Sequence, residues 1–107
     1  MQRWTGANPK EVLVASVTTC YAATLTFVLE SRKLPVAEVT VKSEANISDN
    51  EFKITHYPHI VLSENATEEQ IQSAQRAAET ADKGCDVGNL LKKADVKIEI
   101  QGKVSLK

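Results

Sequence analysis

The stretch Asn8-Pro9-Lys10-Glu11-Val12-Leu13-Val14-Ala15 and onward to Arg32 constrains this chain more than any other. It is one long, mostly apolar helical pattern with Cys20 near its middle. Asn8 is suited to cap it, because its side-chain oxygen can accept from free N–H groups of the first turn. Pro9 then falls at the first helical position, where its missing N–H costs nothing, and Glu11 is spaced to complete a capping box. Lys33-Leu34-Pro35 is the stop signal. At about 1.5 Å per residue such a helix runs about 35 Å. A helix apolar nearly all round belongs inside something, and 107 residues cannot easily surround one of that length. A partner copy of the chain is therefore expected.

Threonines and a serine (Ser16, Thr18, Thr19, Thr24, Thr26) interrupt the stretch, which argues against a membrane span, and no cleavage site marks it as a signal peptide. A cytoplasmic, non-membrane protein is expected. The formal net charge of −1 comes from interspersed charges, and no basic stripe points to nucleic acid.

After the helix, Val36 to Ile47 alternates, with Ala37, Val39, Val41 and Ala45 on one face, as a half-buried strand does. Ser48-Asp49-Asn50 is a turn. Glu51 to Ser63 alternates again, with Phe52, Ile54, Ile60 and Leu62 on one face. The two runs read as a hairpin, with Pro58 expected to break the ladder or to sit at an edge or bulge. Thr67 and Gln70 form a second capping box. It opens a helix with a narrow small-residue stripe, Ile71, Ala74, Ala78 and Ala81, and Gly84 is placed to end it in a left-handed cap. Cys85 to Leu91 is a short helical turn. Val96 to Leu106 alternates as a final strand, bent at Gly102. Helix, hairpin, helix and strand make one α+β domain over 1–107, with an antiparallel sheet and helices on one face.

Cys20 and Cys85 are the groups with chemistry to offer. Two cysteines in a reducing compartment are buried thiols or a redox pair. A reactive cysteine must be a thiolate. Cys85, at a helix start, has a local source of anion stabilisation. Cys20, about three turns inside its helix, would need a cation from elsewhere. Two inert thiols packing as small hydrophobes remain an open alternative. His56 and His59 point to opposite faces of a strand and are too few for a closed metal site, so they read as polar strand residues.

The run Asn8-Pro9-Lys10-Glu11-Val12-Leu13, then Ala15-Ser16 and Cys20-Tyr21-Ala22, resembles the first cysteine motif of the OsmC/Ohr family. Cys85-Asp86-Val87-Gly88-Asn89-Leu90-Leu91 resembles its second. The resemblance implies an intertwined α+β homodimer with the long helices buried centrally. It implies a thiol peroxidase for organic hydroperoxides that needs no metal or bound cofactor. Cys20 would be the peroxidatic thiolate, oxidised to a sulfenic acid. Cys85 would be the resolving thiol, giving a disulfide that a dithiol, such as a lipoylated protein, reopens. Two positions depart from the family pattern. Lys10 stands where the family places a glutamate, which leaves Glu11 as the nearest acid. The family's N-terminal strands, with their catalytic arginine, are expected to be missing, and Arg3 is the nearest candidate. The alternative these departures leave is a catalytically weak dimer that binds a small apolar ligand or a protein partner.

Overall fold

A computed structural model describes residues 8–107, so the lead 1–7, with Arg3 and Trp4, lies outside the described residues. The elements in order are α1 (Pro9–Ser31), β1 (Val36–Ile47), β2 (Phe52–Leu62), α2 (Glu68–Gly84), α3 (Asp86–Lys93), β3 (Val96–Ile100) and β4 (Lys103–Leu106). Helix α1 begins as its sequence dictates. The Asn8 side chain accepts from the Lys10 and Glu11 backbone N–H groups. The return half of a capping box, from the Glu11 carboxylate, is not formed, and a single asparagine satisfies two amides alone. The helix stops through Lys33, which takes a left-handed φ of 56°, while Lys33 N–H donates to the Glu30 carbonyl and Leu34 N–H to the Leu29 carbonyl. That pair of bonds satisfies the last carbonyls in a Schellman motif.

The sheet is mixed rather than wholly antiparallel. β1 and β2 pair antiparallel through a tight turn at Ser48–Glu51. β3 and then β4 pair with the other edge of β2, both parallel to it. Their direction is set by α2 and α3, which carry the chain back across the sheet before it re-enters, as parallel pairing requires. β2 is thus the central strand, and Pro58 sits in it, fully buried and paired with Val41 on the β1 side. Of the positions open to it, proline here takes the ladder break and not the edge. β3 ends opposite His56 and β4 begins opposite His59, so the break at Gln101–Gly102 falls where proline offers no N–H.

The even-numbered residues of β2 face the helices: Ile54, His56, Pro58, Ile60 and Leu62 are all buried. Val17, Tyr21, Leu25 and Leu29, one residue per turn of α1, meet them, and Ala74, Ala77, Ala78 and Ala81 of α2 close the core. Burial of α1 is therefore a stripe and not the whole circumference. Val12 (52% exposed) and Phe27 (70%) lie on its outer side. By length and composition α1 is apolar enough to cross a membrane, contrary to the expectation from its threonines. The Val, Leu and Ala residues between them outweigh the threonines, whose hydroxyls also turn inward: Thr18, Thr19, Thr24 and Thr26 each donate to the carbonyl four residues back. What marks α1 as a core helix is its buried stripe.

Helix α2 carries its capping box at Thr67 and Gln70 as expected. Gly84 does not end it in a left-handed turn, since no described glycine has a positive φ. It remains helical, and a Cβ there would come 3.3 Å from Thr24 Cγ2. The glycine serves close packing of α2 on α1.

Candidate active site

The α2–α3 junction packs on the middle of α1, and this brings the two cysteines together across 65 positions of sequence (85 − 20). Cys85 is buried and Cys20 half-buried, and both are free thiols. The Cys85 thiol lies within hydrogen-bonding reach of Cys20. Cys85 is also the N-cap of α3: its sulfur accepts from Gly88 N–H at 3.4 Å and sits 4.0 Å from the Val17 carbonyl oxygen of α1, to which its S–H can donate. Gly88 is glycine because a Cβ would stand 3.3 Å from that sulfur and 3.4 Å from Ile98 Cδ1.

The electrostatics of Cys85 reverse the expectation from its place at a helix start. Burial pushes the thiol up to about 11, and the bond to Cys20 and the charges of Cys20 and Asp82 push the same way. Only the Gly88 N–H opposes them. One amide bond cannot offset the loss of solvent, so Cys85 keeps its proton at neutral pH.

Tyr21, next to Cys20, is fully buried. Its hydroxyl donates to the Ala78 carbonyl at 2.7 Å, and its ring stacks on His56 with centroids 4.7 Å apart and an interplanar angle of 14°. Burial holds the Tyr21 phenol far above its ordinary value, with Asp82, Cys85 and Glu79 adding to the effect. His56 is 1% exposed. Burial lowers its pKa, Asp82 opposing and Lys92 reinforcing. Asp82 and Lys92 are themselves bridged at 2.9 Å. His59 points to the other face, its Nε2 2.7 Å from Ser105 Oγ. Among the described residues no group of three His, Cys, Asp or Glu is placed to hold a metal.

The sequence missed His56 as part of this cluster. The signal was available: in β2, His56 shares the even-numbered face with Ile54, Ile60 and Leu62, which makes it a core histidine.

Glu11 is exposed and does not meet either sulfur. It lines an open groove of about 690 Å³ between the first half of α1 and the far half of β1, with Lys10, Val14, Thr18, Ser43 and Ile47. Thr19 lines the groove too, but neither cysteine does. This groove is thus beside the turn that carries Cys20 and not centred on the thiol pair. Arg3 lies outside the described residues.

Known proteins share this fold. The chain is 27% identical over 106 residues to the uncharacterized protein YmaD of Bacillus subtilis (strain 168), covering 94% of this chain and 70% of that protein. Among solved structures, an OsmC like protein from Mycoplasma pneumoniae superposes with a TM-score of 0.75 at 16% identity, covering 95% of this chain and 74% of that one. An organic hydroperoxide resistance protein from Elizabethkingia anophelis superposes with a TM-score of 0.63 at 25% identity, covering 99% and 73%. The family model for OsmC-like proteins matches residues 3–101, and the chain belongs to that family.

Proposed function

We propose that this protein is a thiol peroxidase that reduces organic hydroperoxides through Cys20 and Cys85. The observation that carries the reading is the pairing of a half-buried Cys20 with a buried, protonated Cys85 in hydrogen-bonding reach. The family's relatives of similar fold include proteins named for organic hydroperoxide resistance, which agrees with it. The Cys20 thiolate attacks the peroxide, the O–O bond breaks, and the products are a Cys20 sulfenic acid and an alcohol, whose oxygen takes up a proton. Cys85 then attacks the sulfenic sulfur; its thiol proton and the sulfenic hydroxyl leave together as water, and a Cys20–Cys85 disulfide forms. An external dithiol, a lipoylated protein by the family's chemistry, reduces the disulfide and is itself oxidised.

Before reaction, a protonated Cys85 is a donor beside Cys20, which suits a resolving role and not the first attack. The exposed apolar outer side of α1, with Val12 and Phe27, supports a homodimer in which two such helices cover each other. The groove, which contains neither sulfur, supports the second reading of a small apolar ligand bound without turnover.

The test is direct. Reduced protein mixed with cumene hydroperoxide should consume one equivalent of peroxide and lose two hydrogens to an intrachain disulfide seen by mass. If Cys20→Ser consumes peroxide as fast as the parent, the peroxidase reading is wrong and ligand binding in the groove takes its place.

A further inference from the structure

Three close contacts run in a line from α1 to the central strand. Thr18 Oγ1 lies 2.7 Å from the Val14 carbonyl oxygen and 2.7 Å from Ser43 Oγ. Ser43 Oγ lies 2.6 Å from His56 Nδ1. At such separations each contact needs a proton between its heavy atoms. The Val14 carbonyl has none to give. Thr18 and Ser43 own one hydroxyl proton each. Three contacts and two hydroxyl protons leave one proton to be found, and His56 Nδ1 is the atom left to supply it. The direction of the whole chain is then fixed. His56 Nδ1–H donates to Ser43, the Ser43 hydroxyl donates to Thr18, and the Thr18 hydroxyl donates to Val14. In the other tautomer, acceptors would stand at both ends of a chain with two protons, and one contact would be repulsive.

This relay has a second arm. The His56 ring stacks on Tyr21, and the Tyr21 hydroxyl is tied to the Ala78 carbonyl of α2. Thr18 and Tyr21 are three residues apart on one side of α1, and Cys20 lies between them in sequence. The turn that carries Cys20 is thus fixed from β1 through Thr18 and from β2 and α2 through Tyr21. The apolar stripe Val17, Tyr21, Leu25 and Leu29 drives α1 onto the sheet, but hydrophobic contact is non-directional. Directional bonds are what fix a helix in rotation about its axis.

We propose that His56, locked as the Nδ1–H tautomer by Ser43 and Thr18, is a positioning residue that sets the rotation of α1 and holds Cys20 against Cys85. The inference rests on the reading of those cysteines as a disulfide-forming pair.

Side-chain nitrogen NMR of the reduced full-length protein tests the tautomer. His56 should show a protonated Nδ1 and an unprotonated Nε2; the reverse assignment overturns the proposal. Disulfide closure tests the positioning, and it is driven by diamide so that it does not depend on peroxide chemistry. Ser43→Ala should move the His56 proton to Nε2 and slow closure by on the order of tenfold, as a modest misplacement of reacting atoms does. Ser43→Thr, which keeps a hydroxyl, should restore both. Closure by Ser43→Ala at the parent rate, in protein with unchanged circular dichroism, would sink the idea. A parent that closes with diamide and ignores hydroperoxide leaves the positioning intact and removes only the peroxidase reading.

Discussion

Oxidation should stabilise this protein by a calculable amount. A Cys20–Cys85 bond closes a loop of 65 positions (85 − 20) that contains β1, β2 and α2. Loop-closure entropy for a cross-link of that span removes about 4 kcal/mol of freedom from the unfolded chain. Against this stands the Cys85 cap: its sulfur accepts from Gly88 N–H at 3.4 Å, and a sulfur drawn toward Cys20 gives up a bond worth about 1 kcal/mol. The Cys85 thiol already lies within hydrogen-bonding reach of Cys20 in the reduced fold, so little further backbone strain is expected. The net gain is about 3 kcal/mol. Urea denaturation of reduced and diamide-oxidised protein, at one protein concentration so that any dimer contributes equally, measures it through the midpoint. Cys20→Ser, treated with the same oxidant, should show no gain. A parent whose oxidised form is no more stable than its reduced form would mean that closing the bond strains the fold by as much as the loop entropy, and the geometry argued for the pair would be refuted.

Tyr21→Phe keeps the stacked ring and deletes the bond to the Ala78 carbonyl; a loss of about 1 kcal/mol in urea denaturation is expected, the net value of one internal hydrogen bond. Stability should fall as pH is lowered below about 6.5, the ordinary histidine value. The reason is that burial holds His56 below it, so the unfolded chain binds the proton first and the folded state is penalised until its own imidazole titrates. A His56→Gln protein should lose that slope, and a slope unchanged by the substitution would assign it elsewhere. At the alkaline end the sign is opposite. Cys85 is raised from 9.0 to about 11, so its contribution is intact below pH 9 and lost between 9 and 11, and Cys85→Ala should flatten that limb. Gly88→Ala puts a methyl 3.3 Å from the Cys85 sulfur. The usual gain of about 1 kcal/mol for replacing a helical glycine should be absent, and diamide closure should slow.

Features of this fold written in adjacent residues were legible, and features decided across the chain were not. Asn8-Pro9, Thr67 with Gln70, and Lys33-Leu34-Pro35 mark helix ends because capping acts over three or four residues. The two strands of the hairpin followed from alternation, although Ala37 lies at the register shift between Val36 and Glu38. The cysteine pair was legible only through its two motifs, since nothing local in Asn8–Arg32 says what will face Cys20. Three expectations failed where a distant partner intervened. Cys85 reads as an activated thiol from its place at the start of α3, but α1 covers it, and desolvation outweighs one amide bond. Gly84 reads as a left-handed cap, yet its use is the contact with Thr24. The final strand reads as antiparallel company for the hairpin, whereas α2 and α3 return the chain so that β3 and β4 run parallel to β2.

Pro58, Gly102, Ala78 and the thiol pair belong to one arrangement. Proline in a central strand needs a gap in its neighbour, and the last strand supplies it between Ile100 and Lys103, with Gln101 N–H turned to the His56 carbonyl at 2.9 Å. At that gap a Cβ on Gly102 would lie 3.5 Å from Ala78 Cβ and 3.6 Å from Pro58 Cγ. Small residues on both sides therefore let α2 settle close over the break. That depth puts the Ala78 carbonyl where the Tyr21 hydroxyl can reach it, and it carries the end of α2, and so Cys85, to the level of Cys20 on α1. The narrow alanine stripe of α2 is the condition for the two sulfurs to meet: a larger side chain at Ala78 would lift the helix, release Tyr21 and separate the thiols while leaving both cysteines in the sequence.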